Sequence, residues 1–202
     1  MLTGNARAAD AIIINGCPIG PAALCSGINL QDAKIPRANL ARADLSRANL
    51  SGADLSGADL SGASLNDANL READLRGTHL NRADLTRADL TQAQLRSASL
   101  ISATLVSANL QGADLSGANL RGAELNRAQL TGANMAGAHL QRADFSGAIL
   151  KNADLRGADL RGAQMANAQL EGAVLTGAMV DASDFARALT RGCRGCPQQK
   201  TR

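Results

Sequence analysis

The chain has 202 residues with no Tyr or Trp and two Phe, yet 45% of it is hydrophobic, almost all Ala and Leu; an interior without large rings is not that of an ordinary globular domain. No apolar run approaches the length of a membrane-spanning helix, and four Pro and 20 Gly are too few for collagen or an elastic polymer. The net charge of +3 belongs to one end: residues 26–185 hold 15 Lys and Arg against 17 Asp and Glu, while Arg187, Arg191, Arg194, Lys200 and Arg202 follow with no acid among them. A short basic tail can touch nucleic acid or an acidic partner, or stand in solvent.

Near the start, Ala11 to Ile14 is too short for the apolar segment of a secretory signal, and only Arg7 precedes it. This predicts a cytoplasmic, reduced setting. Residues 1–25 read as an N-terminal cap. Ala11-Ile12-Ile13-Ile14, then Gly16-Cys17-Pro18-Ile19-Gly20-Pro21, predicts an apolar strand and a turn that seal the first coil of the following repeat. Cys25 falls on the inward register of that coil, which predicts a buried, apolar free thiol.

From residue 26 to 185 the chain repeats every five residues without an insertion. Of the 32 positions divisible by five from Leu30 to Phe185, 26 are Leu; the rest are Ile35, Met135, Phe145, Met165, Val180 and Phe185. Ala stands two residues earlier in 29 of the 32 units, the exceptions being Ile28, Thr78 and Ser183, and Asp or Asn stands between in 18. A period of five cannot be an amphipathic helix, because at about 100° per residue the leucines would spiral round every side. Within a unit, Ala and Leu lie two apart with a polar residue between, the strand pattern, and the last two residues are turn formers. Each unit is a very short strand plus a corner. Four corners close a square, so the chain winds as a solenoid of 20 residues per coil, eight coils in all. Leu50, Leu70, Leu90, Leu110, Leu130 and Phe145 are assigned to its core. The corner column Gly57, Gly77, Ser97, Gly117, Gly137, Gly157, Gly177 predicts type II turns. The column Arg47, Asp67, Arg87, Ser107, Arg127, Gly147, Asn167, Arg187 disfavours positive φ and predicts another turn type.

The segment 186–202 closes the chain. Ser183 as N-cap, Phe185 and Leu189 on one helical face and Gly192 as a stop predict a short helix over residues 184–191, its apolar side on the last coil. Cys193-x-x-Cys196 reads as an incidental disulfide or free thiols rather than half a zinc site or a redox pair. Cys17 and Cys25 are eight coils away, roughly 38 Å. The end after Pro197 is read as disordered.

The uninterrupted Ala-(Asp/Asn)-Leu-x-x pattern, as in Ala53-Asp54-Leu55-Ser56-Gly57 and Ala58-Asp59-Leu60-Ser61-Gly62, resembles the pentapeptide repeat family over 160 of the 202 residues. That resemblance implies an all-β fold, a right-handed quadrilateral parallel β-helix. Of function it implies little: most members have none assigned, and some bacterial members resemble DNA and bind DNA gyrase, protecting it from quinolones. It also implies dimerisation through the C-terminal cap, for which Phe185 and Leu189 are candidates, although the same residues suffice to cap a monomer.

The surface carries no constellation that points to catalysis, a cofactor or a metal. His79 and His139 share an outward column but stand three coils apart, roughly 14 Å. Asp54 and Asp74 stack one coil apart on a flat face, with Arg76 placed to offset their repulsion. The column Asp44, Ser64, Asp84, Thr104, Glu124, Asp144, Gln164, Asp184 is the most acidic. Arg47, Arg87, Arg127 and Arg187 follow three residues after its acids, which predicts a face laced with ion pairs. The column Asn29, Asn49, Asn69, Asp89, Asn109 predicts an amide ladder. An ice-binding face is disfavoured, because Thr91 and Thr131 are separated by Gln111. The function read from the sequence is therefore a non-catalytic interaction or scaffold module with a protein partner. The alternative is a DNA-mimic modulator of gyrase, weakened by the near-neutral repeat. Ile101 and Val106, apolar and outward, join Phe185 and Leu189 as candidate partner contacts.

Overall fold

The structure is a computed structural model that describes residues 12–197. The Ala11 end of the expected strand and the basic residues Lys200 and Arg202, with the end read as disordered, lie outside them. The first element is a two-residue hairpin, β1 (Ile13–Ile14) against β2 (Cys17–Pro18), antiparallel, with Ile14 opposite Cys17. Asn15 and Gly16 form its loop, both at positive φ (52° and 84°) as a tight hairpin turn requires.

Everything after the hairpin is coil upon coil. Parallel bridges join residues 20 apart without a break, from Leu24↔Asp44 to Val174↔Arg194. The unit 50–54 shows how one pentad is held. Leu50 N–H donates to the Asn69 carbonyl (2.7 Å), Gly52 to Arg71 (2.9 Å) and Asp54 to Ala33 (2.9 Å), while Ala53 closes the corner on Leu50 (3.1 Å). The remaining donor, Ser51 N–H, meets the Oδ1 of Asn49 at 3.2 Å. All five amides of the pentad are satisfied, three of them by other coils, so the coils stabilise one another and not themselves.

The bond from Ser51 explains the commonest outward residue. In every one of the 18 units with Asp or Asn at the outward position, Oδ1 accepts from the amide two residues on, the first residue of the corner. Asp and Asn have the reach for this local cap. They are not merely polar.

Leu and Ala fill the interior as stacked columns. Leu50, Leu70, Leu90, Leu110, Leu130 and Phe145 are all 0% exposed. The two hydroxyl-bearing exceptions in the Ala column are both satisfied alike. Thr78 donates to the Leu55 carbonyl at 2.9 Å and Ser183 to that of Leu160 at 2.6 Å, each reaching 23 residues back.

Two expectations about the repeat backbone are overturned here. The first concerns the corners. Residue 47 and its column do not use a different turn: Arg47, Asp67, Arg87, Ser107, Arg127, Asn167 and Arg187 have φ of 57–59°, and Gly147 has 68°. From Ala22 to Gly192 the second corner residue is left-handed in every unit, whatever its identity. The turn bond and the inter-coil bond from that residue's own amide fix the backbone, and the side chain is left to solvent. A left-handed residue with a Cβ costs on the order of 1 kcal/mol, which this bonding offsets.

The second correction is at the C-terminal end. The helix expected over residues 184–191 is absent. Asp184 bridges Gln164, Leu189 bridges Gln169 and Arg194 bridges Val174, so the five-residue register runs on. Phe185 and Ala188 point inward (8% and 4% exposed), and Leu189 takes the outward position (52%). The i, i+4 spacing of Phe185 and Leu189 imitates a helical face, but inter-coil bonds outweigh so short a helix. The rod ends where Gly195 replaces the inward side chain. A Cβ there would lie 2.8 Å from the backbone of Leu175 and Thr176, so only glycine lets the chain close down on the last leucine.

The cysteines form two disulfides, Cys17–Cys25 and Cys193–Cys196. Cys25 is inward as expected but is not a free thiol. The hairpin carries Cys17 over the first coil, where it is buried against the same core and tied to Cys25. Among the described residues no helix is long and apolar enough to cross a membrane.

Candidate interaction surface

With the interior filled by side chains, the chemistry of the molecule lies on four faces and the four edges between them. Most carboxylates are already engaged. Ser46 holds the Asp44 carboxyl below its ordinary range through hydroxyl and amide, Ser61 does the same for Asp59, and the Arg161 guanidinium does so for Asp159. Hydrogen bonds to the charged form account for each shift.

Ion pairs form, but not where the sequence places them. Arg47, Arg87, Arg127 and Arg187 do not pair with the acids three residues before them; Arg87 binds Asp67, 20 residues back on the same edge, at 2.7 Å. The pairs that do form are of two other kinds. Arg76–Asp74 (2.6 Å), Arg156–Asp154 and Arg161–Asp159 (2.6 Å) are two residues apart. Arg71–Asp89 (3.2 Å), Arg96–Asp114 (3.0 Å) and Lys151–Glu171 (3.7 Å) join adjacent coils, as Arg87–Asp67 does. Arg76 thus offsets the stacked Asp54 and Asp74 as expected. The amide ladder is partial: Asn49 donates to Asn29 (3.2 Å) and Asn69 to Asn49 (3.1 Å), after which Asp89 turns to Arg71 and Asn109 to Thr91.

The four candidate contacts do not come together. Ile101 is 38% exposed on one edge; Val106, half-buried, is on the next edge of the same coil; Phe185 is inside the rod and Leu189 outside it near the end. His79 and His139 are exposed on one face, three coils apart in the bridge ladder. Among the described residues no group of three or more His, Cys, Asp or Glu could hold a metal ion.

The edge that carries Ile101 holds what column-by-column reading misses. Arg42, Arg82 and Arg142 occupy the second corner column, and Arg121 and Arg161 the first. Each column alone looks sparse. Together they give one edge five arginines with no acid from residue 41 to 162, and all five are exposed.

A continuous β-solenoid with four short strands per coil and an exterior free to vary defines the class of protein. Family and structural comparisons agree with it. The profile of the family "Pentapeptide repeats" matches in eight copies over residues 23–62, 63–100, 98–137 and 138–177. The chain belongs to the pentapeptide repeat family. It is similar to the crystal structure of HetL, a pentapeptide repeat protein involved in heterocyst differentiation regulation from the cyanobacterium Nostoc sp. Strain PCC 7120. Identity there is 34%, over 83% of this chain and 89% of HetL, with a TM-score of 0.57. The fold is also that of QnrB1, a plasmid-mediated fluoroquinolone resistance protein, at 20% identity over 80% of this chain and 87% of QnrB1 (TM-score 0.63). No curated protein sequence matches.

Proposed function

We propose that the chain is a non-catalytic scaffold that acts by binding a protein partner on its outer surface. The observation that carries this reading is the division of labour in the coil: inward positions are Leu in 26 and Ala in 29 of 32 units, whereas outward and corner side chains change from unit to unit. Similarity to HetL, a protein involved in regulation, supports binding as the mode of action. A gyrase-directed DNA mimic would present an unbroken acidic face. Here most acids are capped or ion-paired and one edge is basic, so that reading is the weaker. Disulfides at both ends favour an oxidising setting over the reduced cytoplasm expected from the sequence.

The test is crosslinking capture with tagged full-length protein in lysate of its own cells, repeated with variants of exposed corner residues on each edge. The scaffold reading predicts a specific protein whose recovery depends on one edge. Recovery that no edge variant alters contradicts it, and gyrase subunits with inhibited supercoiling would establish the alternative.

A further inference from the structure

Two edges of the rod carry similar backbone and several arginines but differ in electrostatic outcome. On the glycine-rich edge, Arg76, Arg96 and Arg156 are each bonded to a carboxylate of the adjoining face, Asp74, Asp114 and Asp154. On the Ile101 edge, the four middle positions of the corresponding face are His79, Ser99, Asn119 and His139. The carboxylates that would neutralise arginines there are missing. On the other side, Asp44, Asp84 and Asp144 accept from the amides of residues 46, 86 and 146, which directs them round the following corner and away from Arg42, Arg82 and Arg142. Only Arg161 has an ion-pair partner; Arg42, Arg82, Arg121 and Arg142 have none among the described residues.

The edge is also shaped. Two surface depressions meet at Ile101, one running past Arg82 to Arg42, the other past Arg121 and Arg142 to Arg161. From Arg42 to Arg161 is six coils, roughly 29 Å at the usual strand spacing, the width of a protein interface of about 800 Å² per side. An apolar centre with arginines about it is the composition of a protein interface. Single-stranded nucleic acid would call for a row of large aromatic platforms; the chain has no Trp or Tyr and both Phe are buried.

We propose that this edge docks an acidic protein surface, one that sets carboxylates on either side of an apolar side chain seated on Ile101. The proposal rests on the scaffold reading and names the partner's chemistry. Fluorescence anisotropy at low salt tests it with three labelled probes: an oligoglutamate, the same peptide with a central leucine, and a duplex DNA oligonucleotide. Both peptides should bind, the leucine peptide more tightly by about tenfold. Combined Arg82→Ser, Arg121→Ser and Arg142→Ser should weaken both peptides by more than about tenfold, while Arg76→Ser, Arg96→Ser and Arg156→Ser should leave them within about twofold. Ile101→Ser should remove only the leucine advantage. All these side chains are exposed, so melting curves should show every variant folded.

Absence of peptide binding, equal loss in both arginine triples, or DNA bound more tightly than the leucine peptide through the same arginines would overturn the proposal. A partner captured through another edge would leave the scaffold reading standing while this one falls.

Discussion

Between Leu40 and Leu175 the rod is held by leucine columns that are sealed from water; at its ends the columns run out and other devices take over. The N-terminal end uses a hairpin and the Cys17–Cys25 disulfide. The C-terminal end uses the same five-residue coil without its leucines: Val180, Phe185, Thr190 and Gly195 occupy successive inward positions, and Cys193–Cys196 ties the last corner. The difference shows that the backbone pattern, once templated by the coil beneath, persists after the side chains that define it have gone. Leucine supplies burial; the inter-coil bonds supply the form.

The largest effect should come from the middle. Leu110→Asp removes a fully buried side chain and leaves a carboxylate with no partner, a loss of several kcal/mol against a total stability of about 5–15 kcal/mol. Circular dichroism should show the variant unfolded; a melting point near that of the native chain would break the inward register.

A smaller effect should be confined to one end. Cys17→Ser gives up about 2–3 kcal/mol of chain restraint in the hairpin and leaves Cys193–Cys196 in place. Exchange of the Ile19 amide, bonded to Ile12 at 2.7 Å, should approach the free rate, while Leu110 stays protected. Equal change at both sites would mean that the end and the middle melt as one unit.

Acid should act on the whole rod. Asp44, Asp59 and Asp159 have folded pKa values below their ordinary ones, so their stabilisation is present above about pH 4, the unfolded carboxylate range, and is lost as pH falls below it. The melting point should be flat from neutral pH to about pH 5 and fall steeply beneath pH 4. A fall between pH 5 and 7 would contradict the caps. The smallest effect is at a corner: Arg127→Gly relieves a left-handed residue at φ 58° and should raise the melting point by about 2–4 °C or leave it unchanged. A drop beyond that would give the arginine side chain a structural role.

The sequence made the coil legible because its period of five is unbroken and excludes a helix on geometry alone. The outward Asp and Asn were legible as polar but not as caps; that required seeing the amide of residue 51 left over when all other donors of its pentad are bonded. The corners misled because propensity argues against Arg47 at positive φ, and propensity is a local preference that templating overrides. The false helix arose where Phe185 and Leu189 fit two periods at once. The disulfide between Cys17 and Cys25 was hidden because a hairpin brings together residues that the repeat register does not relate. The arginine edge was hidden because its charges alternate between two adjacent columns, so neither column alone looks basic.

One pair of substitutions tests most directly the central claim that a single five-residue unit builds the rod into its last coil. Ala188 is inward and Leu189 outward in that unit. Ala188→Asp buries an unpaired carboxylate and should lower the melting point by more than about 6 °C, whereas Leu189→Asp should change stability by no more than about 0.5 kcal/mol. The reverse order, with Leu189→Asp the more damaging, would restore a helical cap and contradict the account.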